Sequence, residues 1–254
     1  MSLDPRRAAL WQAMDLGPEW VRRRAAADAA PALAGERQVA AGAPGPTPAA
    51  APREAAIGSM GWEELQAAVA ACTACGLCQS RTHTVFGVGS RTAPWMIVGE
   101  APGAEEDARG EPFVGQAGRL LDNMLAAIGR SRQADAGGPV FIANVLKCRP
   151  PGNRNPQPEE VAACEPFLLR QIELLRPRLL LVMGRFAAQS LLRTEAPISA
   201  LRGRVHRLRA AGADLPAIVT YHPAYLLRNL ADKAKAWADL CLALEVEERS
   251  AGPS

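Results

Sequence analysis

From Trp62 onward the chain alternates short apolar runs with stretches whose apolar residues recur at helical spacing. Four runs, Trp95 to Val98, Val140 to Val145, Leu179 to Met183 and Ala217 to Tyr221, are nearly free of polar residues and are flanked by Gly, Pro or charged positions. That pattern predicts strands buried on both faces, because a strand covered on one face only would alternate. Leu120, Leu121, Met124, Leu125 and Ile128 mark a helix between the first two runs, and Glu159 to Leu175 marks another between the second and third. Phe186 to Leu192 begins a helix after the third run, and Lys233 to Val246 closes the chain with a last one. Strand alternating with helix predicts an α/β chain of three α/β/α layers around a mostly parallel four-stranded sheet.

The segment before Trp62 reads differently. Leu10, Trp11, Met14, Trp20 and Val21 are spaced as on a short amphipathic helix ending in Arg22, Arg23 and Arg24, and a solvated tail is the preferred reading. Ala25 to Ala56 is Ala/Pro/Gly-rich with few large apolar groups to offset the entropy of ordering, so it reads as a disordered linker. The expected organisation is therefore a tail and linker over residues 1–60 and one folded domain over 61–249. No apolar stretch has the length of a membrane span or a signal peptide, which leaves a cytoplasmic protein as the expectation. A net charge of +3 does not by itself establish nucleic-acid binding, so the placement of the charges matters more than their sum.

Parallel sheets bind ligands beyond the carboxyl ends of their strands. The residues following the four runs are Gly99-Glu100-Ala101-Pro102-Gly103, Asn144, Gly184 and His222-Pro223-Ala224-Tyr225, so a carboxylate, an amide and an imidazole are expected to share one rim. His83 and His206 have no such setting and are read as structural.

The cysteines form a second constellation. Cys72 and Cys75 make a CxxC with Cys78 close behind, and Cys148 and Cys164 bracket a proline-rich loop after the second run. Cys72, Cys75, Cys148 and Cys164 are read as a four-thiol metal site, with Cys78 as a spare whose alternative role in place of Cys75 stays open. Spacing alone does not separate Zn²⁺ from an iron–sulfur cluster. Cys241 lies among apolar residues of the last helix and is read as a buried thiol.

Taken together, GEAPGAEEDARGEPFVGQAGRLLDNML, NVLKCRPPGNRNPQPEEVAAC and HPAYLLRN, with CTAC and VFGVG upstream, resemble the family 4 uracil-DNA glycosylases, the iron–sulfur branch of their superfamily. The likeness runs from Cys72 to about Leu240, with the motifs in order. It implies a [4Fe–4S] cluster on Cys72, Cys75, Cys148 and Cys164. It also implies Glu100 as the catalytic carboxylate, Phe113 as the aromatic stacked on the base, Asn144 as the amide that reads it, His222 as the catalytic imidazole, and Ala101 as a small residue beside the pocket. The implied protein is a monofunctional hydrolase of uracil-containing DNA, expected to work as a monomer without nucleotide cofactor or membrane.

Chemistry supports those roles independently of the likeness. Breaking an N-glycosidic bond builds positive charge on the sugar and negative charge on the departing base, so stabilisers of both signs are needed. Glu100 suits the sugar and a water, and His222 suits O2 of the base. The Asn144 amide pairs with N3–H and O4 of uracil and is mismatched to cytosine. A base must also be flipped from the duplex to be reached, which asks for a wedge and phosphate contacts. Leu226 and Leu227, with Arg228 beside them, are the candidates, and Leu201 to Arg209 is a basic strip suited to the DNA backbone. Arg149 to Ala163, between the last two cluster cysteines, contains no histidine, which favours turnover over covalent capture of DNA.

Overall fold

The computed structural model describes residues 50–133, 138–210 and 213–250. Its strands are β1 (Val88–Gly89), β2 (Trp95–Gly99), β3 (Val140–Asn144), β4 (Leu179–Met183), β5 (Val205–Ala210) and β6 (Ala213–Thr220). The helices are α1 (Ala50–Ser59), α2 (Trp62–Ala70), α3 (Ala104–Arg109), α4 (Gln116–Ala127), α5 (Pro158–Leu175), α6 (Arg185–Leu192), α7 (Ile198–Leu201), α8 (Pro223–Leu226) and α9 (Lys233–Ser250).

The strands form one sheet in the order β1-β3-β2-β4-β6-β5. The four apolar runs are its parallel centre, β3-β2-β4-β6, in register from Trp95 opposite Val140 and Leu179 to Leu180 opposite Ala217. Two antiparallel edge strands, β1 on β3 and β5 on β6, widen the expected four strands to six. Successive residues of each central strand enter opposite layers, as the pleat requires. Trp95, Ile97, Ile142, Leu181 and Ile218 pack with Leu121 and Met124 of α4 and Leu240 of α9. Met96, Val98, Phe141, Val182 and Val219 pack with Leu65 of α2, Leu168 and Ile172 of α5, and Ala187 of α6. Every residue of β2, β3 and β4 is buried, which is why their sequences read as unbroken apolar runs.

The N-terminal boundary differs from the expectation. Ala50–Ser59, placed largely in the linker by composition, is helical, and Ile57 is buried at 3% exposure in the second layer beside Phe167. Burying one isoleucine contributes about 1.5–3 kcal/mol toward holding this helix on the domain. The expected tail over residues 1–24 and the rest of the linker lie outside the described residues. Among the described residues, no helix is long and apolar enough to cross a membrane.

Candidate active site

Pairing between β2 and β3 runs past the strand ends and fixes the rim. Gly99 stands opposite Asn144, the Val145 N–H donates to the Gly99 carbonyl at 2.9 Å, and the Leu146 N–H donates to the Glu100 carbonyl at 3.0 Å. Asn144, 2% exposed, lies directly over Gly99. A methyl group at Gly99 would stand 2.4 Å from Asn144 Oδ1 and 2.7 Å from Phe113 Cζ, so the lack of a side chain there lets the amide and the ring meet. Gly99→Ala is expected to displace both, costing about 1–3 kcal/mol of stability through overpacking. A G99A protein with wild-type melting temperature would show that this approach is not needed.

Phe113 is held in a left-handed conformation, φ 54°, which costs an ordinary side chain about 1–3 kcal/mol. Two charged residues hold it there. Arg132 donates to the carbonyls of Pro112 at 2.9 Å and Phe113 at 3.1 Å while paired with Asp122. Glu106 accepts the N–H groups of Gly103, Val114 and Gly115 at 3.1, 3.1 and 3.3 Å, tying the loop after β2 to the loop carrying Phe113. The ring then stacks on His222 with centroids 5.3 Å apart and planes 26° apart.

His222 caps the N-terminus of α8, its Nδ1 accepting the Ala224 N–H at 3.1 Å. Gly184, in a left-handed conformation (φ +91°) after β4, leaves room for it; a Cβ there would come within 3.2 Å of His222 Cβ. Burial lowers the imidazole to about 4, with the Glu106 charge opposing and Arg228 reinforcing. The ring is therefore neutral at ordinary pH, and the Nδ1 contact assigns its proton to Nε2, the donor available to a ligand.

Glu100 follows Gly99 but faces the adjoining cleft. With Val145, Pro158, Val161, Phe186 and Arg193 it lines a cavity of about 710 Å³ between α5 and α6. Burial raises its carboxyl above the ordinary value, and the Arg185 guanidinium opposes the rise. The rim thus has an aromatic–amide–imidazole side and a carboxylate side, meeting at Gly99 and Glu100. Ala101, expected beside the base pocket, packs against Leu77, Leu146 and Cys148, in the wall toward the cysteines.

Cys72, Cys75, Cys78, Cys148 and Cys164 line one cavity with Leu77, Arg81, Leu146 and Lys147. Arg81 Nη1 donates to Cys148 Sγ and the Lys147 N–H donates to Cys164 Sγ, both at 3.2 Å. Burial pushes the Cys164 thiol up to about 12, with Lys147 opposing, and raises Cys148 and Cys75 as well. Without a cation such thiols stay protonated, so a metal centre is what would make them thiolates. A soft all-sulfur donor set with N–H groups aimed at sulfur fits an iron–sulfur group, although among the described residues no three His, Cys, Asp or Glu side chains are grouped tightly enough for a single ion.

The expected DNA-facing residues separate. Leu226 is 1% exposed and belongs to the core, so it is withdrawn as a wedge, while Leu227 is 41% exposed and stands beside the exposed Arg228. Within the basic strip, Arg202 is committed to Asp239, which it meets at 2.8 Å, and lies over the Tyr221 ring. Tyr221 in turn stacks on Tyr225, whose hydroxyl donates to Asp232 at 2.6 Å, so the clamp holds α8 and its loop in place. Arg204, Arg207 and Arg209 remain exposed, but β5 carries the last two away from the rim, Arg209 standing opposite Asp214. Glu106, Arg132 and Lys147 were not foreseen. The G-x-x-E spacing from Gly103 to Glu106 is a readable helix-start signal, whereas nothing in the sequence links Arg132 to Phe113.

Known proteins match most of the folded part of the chain. The family model of the uracil DNA glycosylase superfamily matches residues 86–241. A type-4 uracil-DNA glycosylase of Archaeoglobus fulgidus is 47% identical over 163 residues, 63% of this chain and 79% of that protein. One from Pyrobaculum aerophilum is 41% identical over 72% of this chain and 93% of its own, and one from Thermotoga maritima is 43% identical over 65% and 82%. The chain belongs to the uracil DNA glycosylase superfamily and, within it, to the type-4 uracil-DNA glycosylases.

Proposed function

We propose that this protein is a DNA-repair enzyme that extrudes uracil from DNA and hydrolyses its N-glycosidic bond, leaving an abasic site. The observation that carries the reading is the meeting of the Phe113–His222 stack and the Asn144 amide over Gly99, with Glu100 as the next residue. Phe113 offers a flat face to the extruded base, and the Asn144 side chain supplies an acceptor for N3–H and a donor for O4. As the bond breaks, neutral His222 donates to O2 while the Glu100 carboxylate faces the positive sugar and positions a water. His222 and Glu100 thus answer opposite signs of developing charge.

Leu227 enters the stack as the wedge and Arg228 contacts phosphate. The segment between Cys148 and Cys164 supports turnover because it contains no histidine that could capture the sugar, and its Arg149 and Arg154 are engaged by Asn153 at 2.7 Å and by Glu160. The enzyme is taken to act as a monomer without nucleotide cofactor. The test is incubation of the full, cluster-loaded chain with an oligonucleotide carrying one deoxyuridine. Alkali-labile abasic sites are expected; no uracil release from folded, loaded protein overturns the reading.

Cys72, Cys75, Cys148 and Cys164 would hold a [4Fe–4S] cluster, with Cys78 the spare thiol in the same cavity. Such a cluster would cross-link the segment before β1, the loop after β3 through Cys148, and α5 through Cys164. Cys148→Ala is expected to abolish the visible absorbance, lower the melting temperature and weaken duplex binding. A variant that is colourless yet equally stable and equally tight on DNA would contradict that structural role.

A further inference from the structure

Between the base pocket and the cysteine cavity lies a buried cation that the chemistry above does not use. Lys147 is 1% exposed, its ammonium donating to the Asn144 backbone carbonyl at 2.8 Å and to Gln171 Oε1 at 2.6 Å. Gln171 is held in turn, its Nε2 donating to the Phe86 carbonyl at 2.9 Å, which assigns its oxygen to the lysine. At the backbone, Lys147 donates its N–H to Cys164 Sγ at 3.2 Å and accepts the Val85 N–H at 2.8 Å. Residues 144–147 are thus tied at each step: Asn144 by the ammonium, Val145 by Gly99, Leu146 by Glu100, and Lys147 by Cys164.

A buried ammonium is costly unless its surroundings repay it, and an apolar residue would fill this space at lower desolvation cost. The charge does one thing that an apolar residue does not, which is to fix the carbonyl of the residue whose side chain lies over Gly99. That peptide unit sets the direction in which the Asn144 amide leaves the strand end. We propose that Lys147 is a positioning residue for base recognition: its ammonium, braced by Gln171, holds the Asn144 peptide so that the side-chain amide meets the polar edge of uracil. The inference rests on the functional reading above and adds a residue to it.

The test is a double-mutant cycle in the full, cluster-loaded protein with Lys147→Met, Asn144→Ala and the pair. It is read by single-turnover uracil release, with affinity for free uracil and for undamaged duplex measured in parallel. Loss of a buried partner leaves the Asn144 carbonyl unpaired, so K147M is expected to lose about 10- to 100-fold in rate and to bind free uracil more weakly. Duplex affinity and cluster absorbance should stay at wild-type level. The pair should be no slower than N144A alone, because a residue acting through Asn144 has nothing left to position. A K147M protein with wild-type rate and uracil affinity, or a pair losing the sum of both effects, overturns the proposal. Should K147M fail to fold or load, the cycle is run with Gln171→Met, where the same non-additivity is expected and additive losses overturn. A wild-type protein that releases no uracil overturns the functional reading and this proposal with it, whereas an active wild type with an unimpaired K147M overturns this proposal alone.

Discussion

His222→Ala is expected to slow single-turnover uracil release by on the order of 10²–10³-fold, the usual effect of deleting one preorganised donor to a developing anion. The wild-type pH–rate profile is expected to show no inflection near ~6.5, the ordinary imidazole value. Both follow from the ring's setting. Its Nδ1 is occupied by the Ala224 N–H, and burial lowers its pKa to about 4, so Nε2–H is a neutral donor across the working range. In the proposed function the active imidazole is the deprotonated form, and lowering its pKa extends that form toward acid. Glu100 is shifted the other way, since burial raises a group that must be ionised to face a cationic sugar. Burial thus works against the ionised carboxylate, and the acid limb of the profile is assigned to Glu100. Glu100→Gln should therefore remove that limb along with much of the rate. An inflection near ~6.5 in the wild type that disappears in H222A would mean that the imidazole titrates in the working range and would overturn its role as a neutral donor.

The central strands were legible because burial on both faces leaves no polar alternation to confuse the period, as in LLLVM of β4. The edges were not. β1 has two residues, and β5, VHRLRA, sets exposed arginines between its apolar positions as edge strands do. Helix α1 was hidden by its composition, since its burial on the domain rests on Ile57 rather than on a stripe. In the site, Asn144 and His222 were readable because position at a strand end is a property of local sequence. Leu226 and Leu227 were not separable, because adjacent residues on one helical turn point to different sides and only packing says which is outside. Arg132 and Glu106 were invisible as supports of Phe113 for a related reason: their partners are backbone groups, which carry no residue identity to recognise. What escaped the sequence is largely the set of contacts that turns a list of reactive side chains into a pocket.

In the proposed function Asn144 carries base discrimination, and Asn144→Ala is expected to cost about as much as the loss of His222, on the order of 10²–10³-fold in single-turnover rate. The reason is double. The amide contributes an acceptor and a donor to one base edge, and an unpaired polar group in a closed pocket costs about 1–3 kcal/mol on each side of the broken contact. Its truncation also opens the space over Gly99 that the Phe113 ring edge borders, so the stacking face loses a neighbour. Uracil and cytosine differ at O4 and N3, the atoms this amide addresses, and the Phe113 face and the His222 donor do not distinguish them. N144A should therefore lose preference along with rate: residual release of uracil falls steeply, whereas the already low release of cytosine changes little, and their ratio narrows. Paired assays on oligonucleotides with uracil or cytosine at the same position measure that ratio. If the rate falls and the ratio holds, selection lies elsewhere in the pocket, and Asn144 serves catalysis without reading the base.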